Sequence, residues 1–285
     1  TDQAFYRFDL KTNGAEVLID NQLVNCVSKI EDDKLLLGTK NGLLRYHLDE
    51  EAVSQIILKD QSNRIFTPLE IESIYSDDKG NIWFGTAGEG LHHYNKYQKK
   101  FETIALTVPG YSKDTKLSTF QILPGKDSVL WLGTSSNVIR YNLLDKKFNH
   151  YKGFPDALIY ALSIDENGGI WCGGFDGTGL LKYNVSNDEF VKVDFLNQKN
   201  DKTIIDIRPL SQQLLLLSTW SSGMFVYNIE TNMIEEFLVD EKQLNRARIS
   251  FVDSKDNLWI GSDQGVYLIG NRGKGKSYHL HENGP

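Results

Sequence analysis

SDDKGNIWFGTAGEGLHHY, residues Ser76 to Tyr94, is the stretch that the rest of the chain repeats with variations. Gly80-Asn81 and Gly88 to Gly90 are turn signals on either side of the apolar segment Ile82-Trp83-Phe84, so the stretch reads as a hairpin followed by a third strand. Related copies are VLWLGTSSNVIRY (Val129 to Tyr141), DENGGIWCGGFDGTGLLKY (Asp165 to Tyr183) and DSKDNLWIGSDQGVYLI (Asp253 to Ile269). Two further copies lack the tryptophan: LLLGTKNGLLRY (Leu35 to Tyr46) and LLLSTWSSGMFVY (Leu215 to Tyr227). The residue two past the tryptophan position is Gly38, Gly85, Gly133, Gly173, Ser218 and Gly261, at steps of 47, 48, 40, 45 and 43 residues. A period of this size decides the fold before any site is considered.

Each unit reads as four short strands; in the second they are Glu72 to Ser76, Asn81 to Gly85, Gly90 to Tyr94 and Lys100 to Ile104. No helical period is visible, and strands alone at this spacing indicate an all-β protein, a β-propeller of four-stranded blades. A blade must pack its face on the next. A large Trp on the second strand fills the gap, and a Gly two residues on lets a neighbouring backbone approach. The Asp before the hairpin turn suits backbone N–H donors within it. Tyr46, Tyr94, Tyr141, Tyr183 and Tyr227, near the ends of third strands, should cover the packing edge.

Residues 4–19 match the third and fourth strands of a unit, so the chain opens in mid-blade, and Gly265 to Leu280 supplies those strands to the last unit. The expectation is therefore six complete blades plus a partial seventh, a single domain over 1–285 in which residues 1–20 are the outer strands of an incomplete blade. The chain reads as a fragment of a longer one.

At 285 residues the chain can bury about three quarters of its unfolded surface without disulfides or metals. A net charge of −7 with no basic run argues against nucleic acid or an anionic membrane as partner. Cys26 and Cys172 form no ligand cluster and read as buried free thiols. No apolar run reaches the length of a membrane span, and TDQAFYRF does not read as a signal peptide.

DDKGNIWFGTAGEGLHHYN, DENGGIWCGGFDGTGLLKYN and DSKDNLWIGSDQGVYLI resemble the two-component regulator propeller repeat, roughly D-x-x-G-x-[IL]-W-[IF]-G-T, then G-L, then Y-[ND]. The resemblance covers nearly the whole chain. Gly125-Lys126-Asp127 replaces the usual turn in the third copy, and the first and fifth copies lack the Trp. What it implies is the periplasmic sensor region of a membrane-bound, often hybrid, histidine kinase. In such proteins further propellers and an immunoglobulin-like domain belong to the same chain, the full-length protein is a homodimer, and the signal is an oligosaccharide. The propeller itself would make no direct membrane contact, need no cofactor and carry no catalysis.

Turns between second and third strands share a face with the segments joining blades. That face carries Phe175-Asp176, Trp220, Asp263-Gln264, Arg64 with Phe66, Tyr111 with Lys113, Asp156 with Tyr160, and Arg246 with Arg248. Aromatics beside Arg, Asp and Asn suit saccharides, since a ring stacks on the C–H face of a sugar while polar groups fix its hydroxyls. The candidate ligand-binding residues are Trp220, Phe175, Asp176, Arg246, Arg248, Tyr111 and Arg64. Trp220 is the most informative, because it sits in a turn where blade packing requires no indole; its alternative role is to cover a loop or a partner propeller. Arg246 and Arg248 can receive a carboxylate or sulfate, or pair with Asp240 or Glu241.

His92-His93 is a poor metal pair, since adjacent strand residues point to opposite faces, and no D-x-D-x-D-G series surrounds Asp176. Ser76-x-Asp78-x-Gly80-x-x-Trp83 resembles the Asp-box of sialidases, a structural turn away from their active site. No nucleophile and base are identifiable, so neither catalytic nor metal residues are assigned. A glycan-active hydrolase or lyase on the same scaffold and a passive protein-docking propeller are the alternatives.

Overall fold

The structure is a computed structural model that describes residues 4–278 except 10, 13, 61, 64, 66–68, 107–116, 152–156, 176, 201, 240, 241, 245, 264 and 271–274. Among the described residues every element is a strand, and no helix is long and apolar enough to cross a membrane. Six antiparallel four-stranded sheets follow one another, each with its strands in sequence order. Blade 1 comprises Val24–Glu31, Lys34–Thr39, Gly42–His47 and Ala52–Gln55, and blade 2 Ile71–Ser76, Ile82–Thr86, Gly90–Asn95 and Lys100–Ile104. Blade 3 comprises Thr119–Pro124, Val129–Thr134, Val138–Asn142 and Phe148–Tyr151, and blade 4 Ile159–Ile164, Ile170–Gly174, Gly179–Asn184 and Glu189–Lys192. Blade 5 comprises Ile204–Pro209, Leu214–Thr219, Met224–Asn228 and Met233–Glu236, and blade 6 Ala247–Val252, Leu258–Ser262, Gly265–Ile269 and Gly275–Tyr278.

The opening strands, Phe5–Asp9 and Gly14–Ile19, pair as a two-stranded antiparallel hairpin outside the six four-stranded sheets. Phe5 meets Tyr46 of blade 1 edge-on at 6.4 Å. This is an all-β propeller of six four-stranded blades with a partial seventh. A small hairpin, Leu238–Val239 with Lys242–Gln243, had no signal in the repeat pattern.

The chain divides into two compact units, Thr1–Ser135 with Ile139–His150, and Ser136–Val138 with Tyr151–Pro285. In the first, Trp83 packs with Leu117, Ile122, Leu130, Leu132 and Ile139 of blade 3 and meets Tyr141 edge-on at 6.1 Å. In the second, Trp171 packs with Ile204, Leu215 and Leu217 of blade 5 and meets Tyr227 edge-on at 5.8 Å. The tryptophan of one blade thus fills the space against the next, and the third-strand tyrosine closes it, as the repeat implied. An indole burying some 150–250 Å² contributes about 4–6 kcal/mol at roughly 25 cal/mol per Å² before entropic costs.

Asp165 shows what the hairpin carboxylate does. Its Oδ1 accepts from the N–H groups of Asn167 and Gly169 at 2.9 and 2.7 Å, and its Oδ2 accepts from the Trp171 indole at 2.7 Å. Asp253 repeats the arrangement, with Trp259 Nε1 donating at 2.9 Å. The turn and the packing tryptophan are therefore locked by one side chain. Blade 2 departs from this pattern: Asp77 Oδ2 accepts from Asn81 Nδ2 at 2.8 Å, and the buried Trp83 Nε1 has no partner. In blade 3, Gly125 holds the aspartate position, and a Cβ there would lie 2.8 Å from Trp131 Nε1.

The glycine two residues past the tryptophan also has its expected role. A Cβ on Gly173 would lie 2.7 Å from Cβ of Ile204, the first residue of blade 5, and one on Gly38 would lie 2.7 Å from Ile71 Cγ2 at the start of blade 2. Blade 5 has Ser218 at this position, and the matching first residue of blade 6 is the smaller Ala247, fully buried.

Cys172 is fully buried, and burial pushes its thiol well up; Cys26 is partly buried, with its thiol pushed up to about 12. Neither forms a disulfide.

Candidate functional site

Two positions in each blade carry the variable chemistry. In the first strand, one residue has no partner across the strand pair, a register shift of the β-bulge kind. These residues are Asn25, Glu72, Phe120, Tyr160, Ile205 and Arg248, each just before the residue that faces the packing glycine or serine. A bulge re-aims one side chain without disturbing the flanking register. The second position is the first residue beyond the second strand: Lys40, Ala87, Ser135, Phe175, Trp220 and Asp263. In blades 4 and 5 its N–H donates back to the segment entering the blade, Phe175 to Leu158 O at 3.1 Å and Trp220 to Thr203 O at 2.9 Å. The turn is thereby tied beside the bulge.

In the second unit these positions make one continuous cluster. Tyr160 and Phe175 pack at 5.3 Å between ring centroids, and Phe175 and Trp220 at 5.2 Å, with planes inclined by 60° and 57°. The Arg248 guanidinium lies over the Trp220 ring at 4.2 Å from its centroid, a cation–π contact. Arg248 Nε and Nη2 donate to the two carboxylate oxygens of Asp263 at 3.1 and 3.2 Å, a bidentate fork, and Arg246 Nη1 approaches Asp263 Oδ2 at 3.4 Å. Donation from Arg248 holds the Asp263 carboxyl below its usual range. Trp220 remains 48 % exposed and Tyr160 36 %. An aromatic surface with a fixed cation at one end is the result.

Of the residues nominated from sequence, Trp220, Phe175, Arg246 and Arg248 come together here. Asp176, Tyr111 and Arg64 lie outside the described residues, as do Asp240 and Glu241, the acidic groups placed opposite the arginines. Asp263 pairs with both arginines. Its signal was present in the repeat: Asp263 follows the second strand of blade 6 as Phe175 and Trp220 follow theirs, and Arg248 occupies the same register position as Tyr160.

His92 and His93 do point to opposite faces of their sheet. His92 stacks on Phe84 at 5.0 Å and is buried, which pushes its imidazole down to about 4; His93 stacks on Trp83 at 4.0 Å. Among the described residues no group of three His, Cys, Asp or Glu is placed to hold a metal ion. Asp206 is a buried carboxylate raised by desolvation, but its Oδ2 accepts from Ser250 N at 2.9 Å and from Ser250 Oγ, which ties blade 5 to blade 6.

A model of the two-component regulator propeller family matches residues 65–88, across the second strand of blade 2 that carries Trp83 and Gly85. The chain carries that repeat. It is 25 % identical over 269 residues to histidine kinase P4 of Formosa agariphila, covering 89 % of this chain and 19 % of the kinase. The chain therefore spans about a fifth of that relative's length. Among solved structures it is similar to the extracellular domain of a putative hybrid two-component system from B. thetaiotaomicron, with a TM-score of 0.60 and 18 % identity over 98 % of this chain and 49 % of the other. It is also similar to a catalytically inactive virginiamycin B lyase from Staphylococcus aureus, with a TM-score of 0.72 and 10 % identity over 99 % of this chain and 90 % of the lyase. At these identities both structures speak for the propeller fold alone.

Proposed function

We propose that this propeller is an extracytoplasmic, ligand-sensing part of a two-component regulator, and that the ligand is an oligosaccharide taken on the Tyr160–Phe175–Trp220 surface. The observation that carries this is Trp220. It is a half-exposed indole in a turn, with one face occupied by Arg248 and an aromatic neighbour on its flank. Stacking of a sugar C–H face on such a surface, oriented by a charged pair, is a familiar recognition chemistry. The similarity to a histidine kinase supports the sensor setting. In that setting the ligand must favour one arrangement of the full-length receptor over another, because equal affinity for both would shift nothing.

Titration calorimetry of the purified protein against an oligosaccharide panel, followed by mass spectrometry of the recovered ligand, tests the reading. The expected result is binding with the ligand intact, and loss of at least about tenfold in affinity in Trp220→Ala, since truncating a stacking aromatic costs on the order of 1–3 kcal/mol. A cleaved product would favour a glycan-active enzyme instead. Unchanged affinity in Trp220→Ala would remove this surface from the site.

A further inference from the structure

The donors and acceptors of the Arg248 cluster do not balance, and the imbalance points to the charge of the ligand. Asp263 accepts from Arg248 Nε, Arg248 Nη2 and Arg246 Nη1, so both of its oxygens are engaged. Arg248 Nη1 is buried without a partner. The Arg246 side chain is 69 % exposed and makes only the 3.4 Å approach to Asp263, which leaves most of its N–H groups for something else. Among the described residues of the cluster, two arginines and one aspartate leave one positive charge. On the far side of the aromatic surface, Lys192 Nζ donates to Gly177 O at 2.9 Å, in the turn that begins with Phe175, and adds a second cation. Arg246 itself sits at φ 57°, a left-handed backbone conformation that a non-glycine residue adopts at a cost.

A sugar hydroxyl can both donate and accept, whereas an ionised carboxylate or sulfate only accepts. A site with surplus N–H donors, an engaged carboxylate and net positive charge is matched to the second kind of group. We propose that the Trp220–Arg246 face selects a saccharide bearing an anionic group, a uronate carboxylate or a sulfate, with the ring against Trp220 and the anion on Arg246. This rests on the saccharide-sensing reading and narrows its ligand class. The chain as a whole is acidic, with a net charge of −7, so the preference would come from this local cluster and not from long-range attraction.

The test is calorimetry of the purified protein with oligosaccharides offered as matched pairs: uronate against its methyl ester, and sulfated against desulfated. The charged member of one pair should bind about tenfold more tightly, the size of one charge-assisted hydrogen bond. That ratio should shrink at high salt. Arg246→Gln should bring the ratio close to one, with the loss falling on the charged member. Preference in the uronate pair or in the sulfate pair tells the two anions apart. Equal binding of charged and uncharged members, or a ratio that survives Arg246→Gln, would overturn the anionic preference and leave saccharide sensing standing. Binding by no member of any pair would sink both.

Discussion

Replacing Gly173 by alanine should destabilise the second unit even though alanine is intrinsically the better strand residue. Removing glycine's extra unfolded-state freedom favours the substitution by about 0.5–1 kcal/mol. The new Cβ, however, would stand 2.7 Å from Ile204 Cβ, 2.8 Å from Ile204 Cγ2 and 3.2 Å from the Ile204 carbonyl oxygen. Two of these atoms belong to a stiff β-branched side chain at its root and one to the backbone, so none can swing away. Overpacking of this kind costs on the order of 1–3 kcal/mol, which leaves a net loss of about 0.5–2 kcal/mol. For a chain of this size that is a fall of a few degrees in the thermal midpoint, at roughly 2–4 °C per kcal/mol. Ile204→Ala alone should cost about 2–5 kcal/mol, because it opens a cavity. The double variant, with a small residue opposite an occupied anchor position as at Ser218 and Ala247, should be more stable than the sum of the two losses by at least about 0.5 kcal/mol. Scanning calorimetry of the four proteins closes the cycle. A Gly173→Ala midpoint equal to or above that of the parent, or strictly additive losses, would refute the claim that this glycine exists to admit the next blade.

The tryptophans separate packing from hydrogen bonding. Trp171→Phe strands the buried Asp165 Oδ2 and should cost about 1–3 kcal/mol more than Trp83→Phe, which removes an indole N–H that has no partner, and paired urea melts would show the difference. Asp253 gives a pH dependence. Donation from the Trp259 indole and from Asn257 depresses its folded-state pKa, so its stabilising effect is fully present above the unfolded carboxylate value of about 3.9 and is lost as pH falls through the folded value. Thermal midpoints of Asp253→Asn and the parent should differ at neutral pH and converge in acid; a constant offset across that range would contradict the assignment.

The architecture was legible in the sequence because each blade needs the same few parts. Asp165, Trp171 and Gly173 recur at the same offsets as Asp77, Trp83 and Gly85 and as Asp253, Trp259 and Gly261, and a repeated sheet can nest on its neighbour only if those offsets hold. The hairpin pairing of Phe5–Asp9 with Gly14–Ile19 followed from comparison of the opening residues with Leu43 to His47. The Asp-to-indole hydrogen bond did not, since a turn-capping aspartate leaves its second oxygen's partner open until the tryptophan's orientation is known. Trp220, Phe175, Arg246 and Arg248 were nominated one by one as turn and linker residues, and nothing in their spacing said that they touch. Only the tertiary structure brings Arg248 over Trp220 and gives both arginines Asp263. The turn of blade 5 that carries Trp220 and the bulge of blade 6 that carries Arg248 meet only when their sheets stack. Local sequence therefore settled how each blade is built, while contact between neighbouring blades decided that Phe175, Trp220 and Arg248 share a surface.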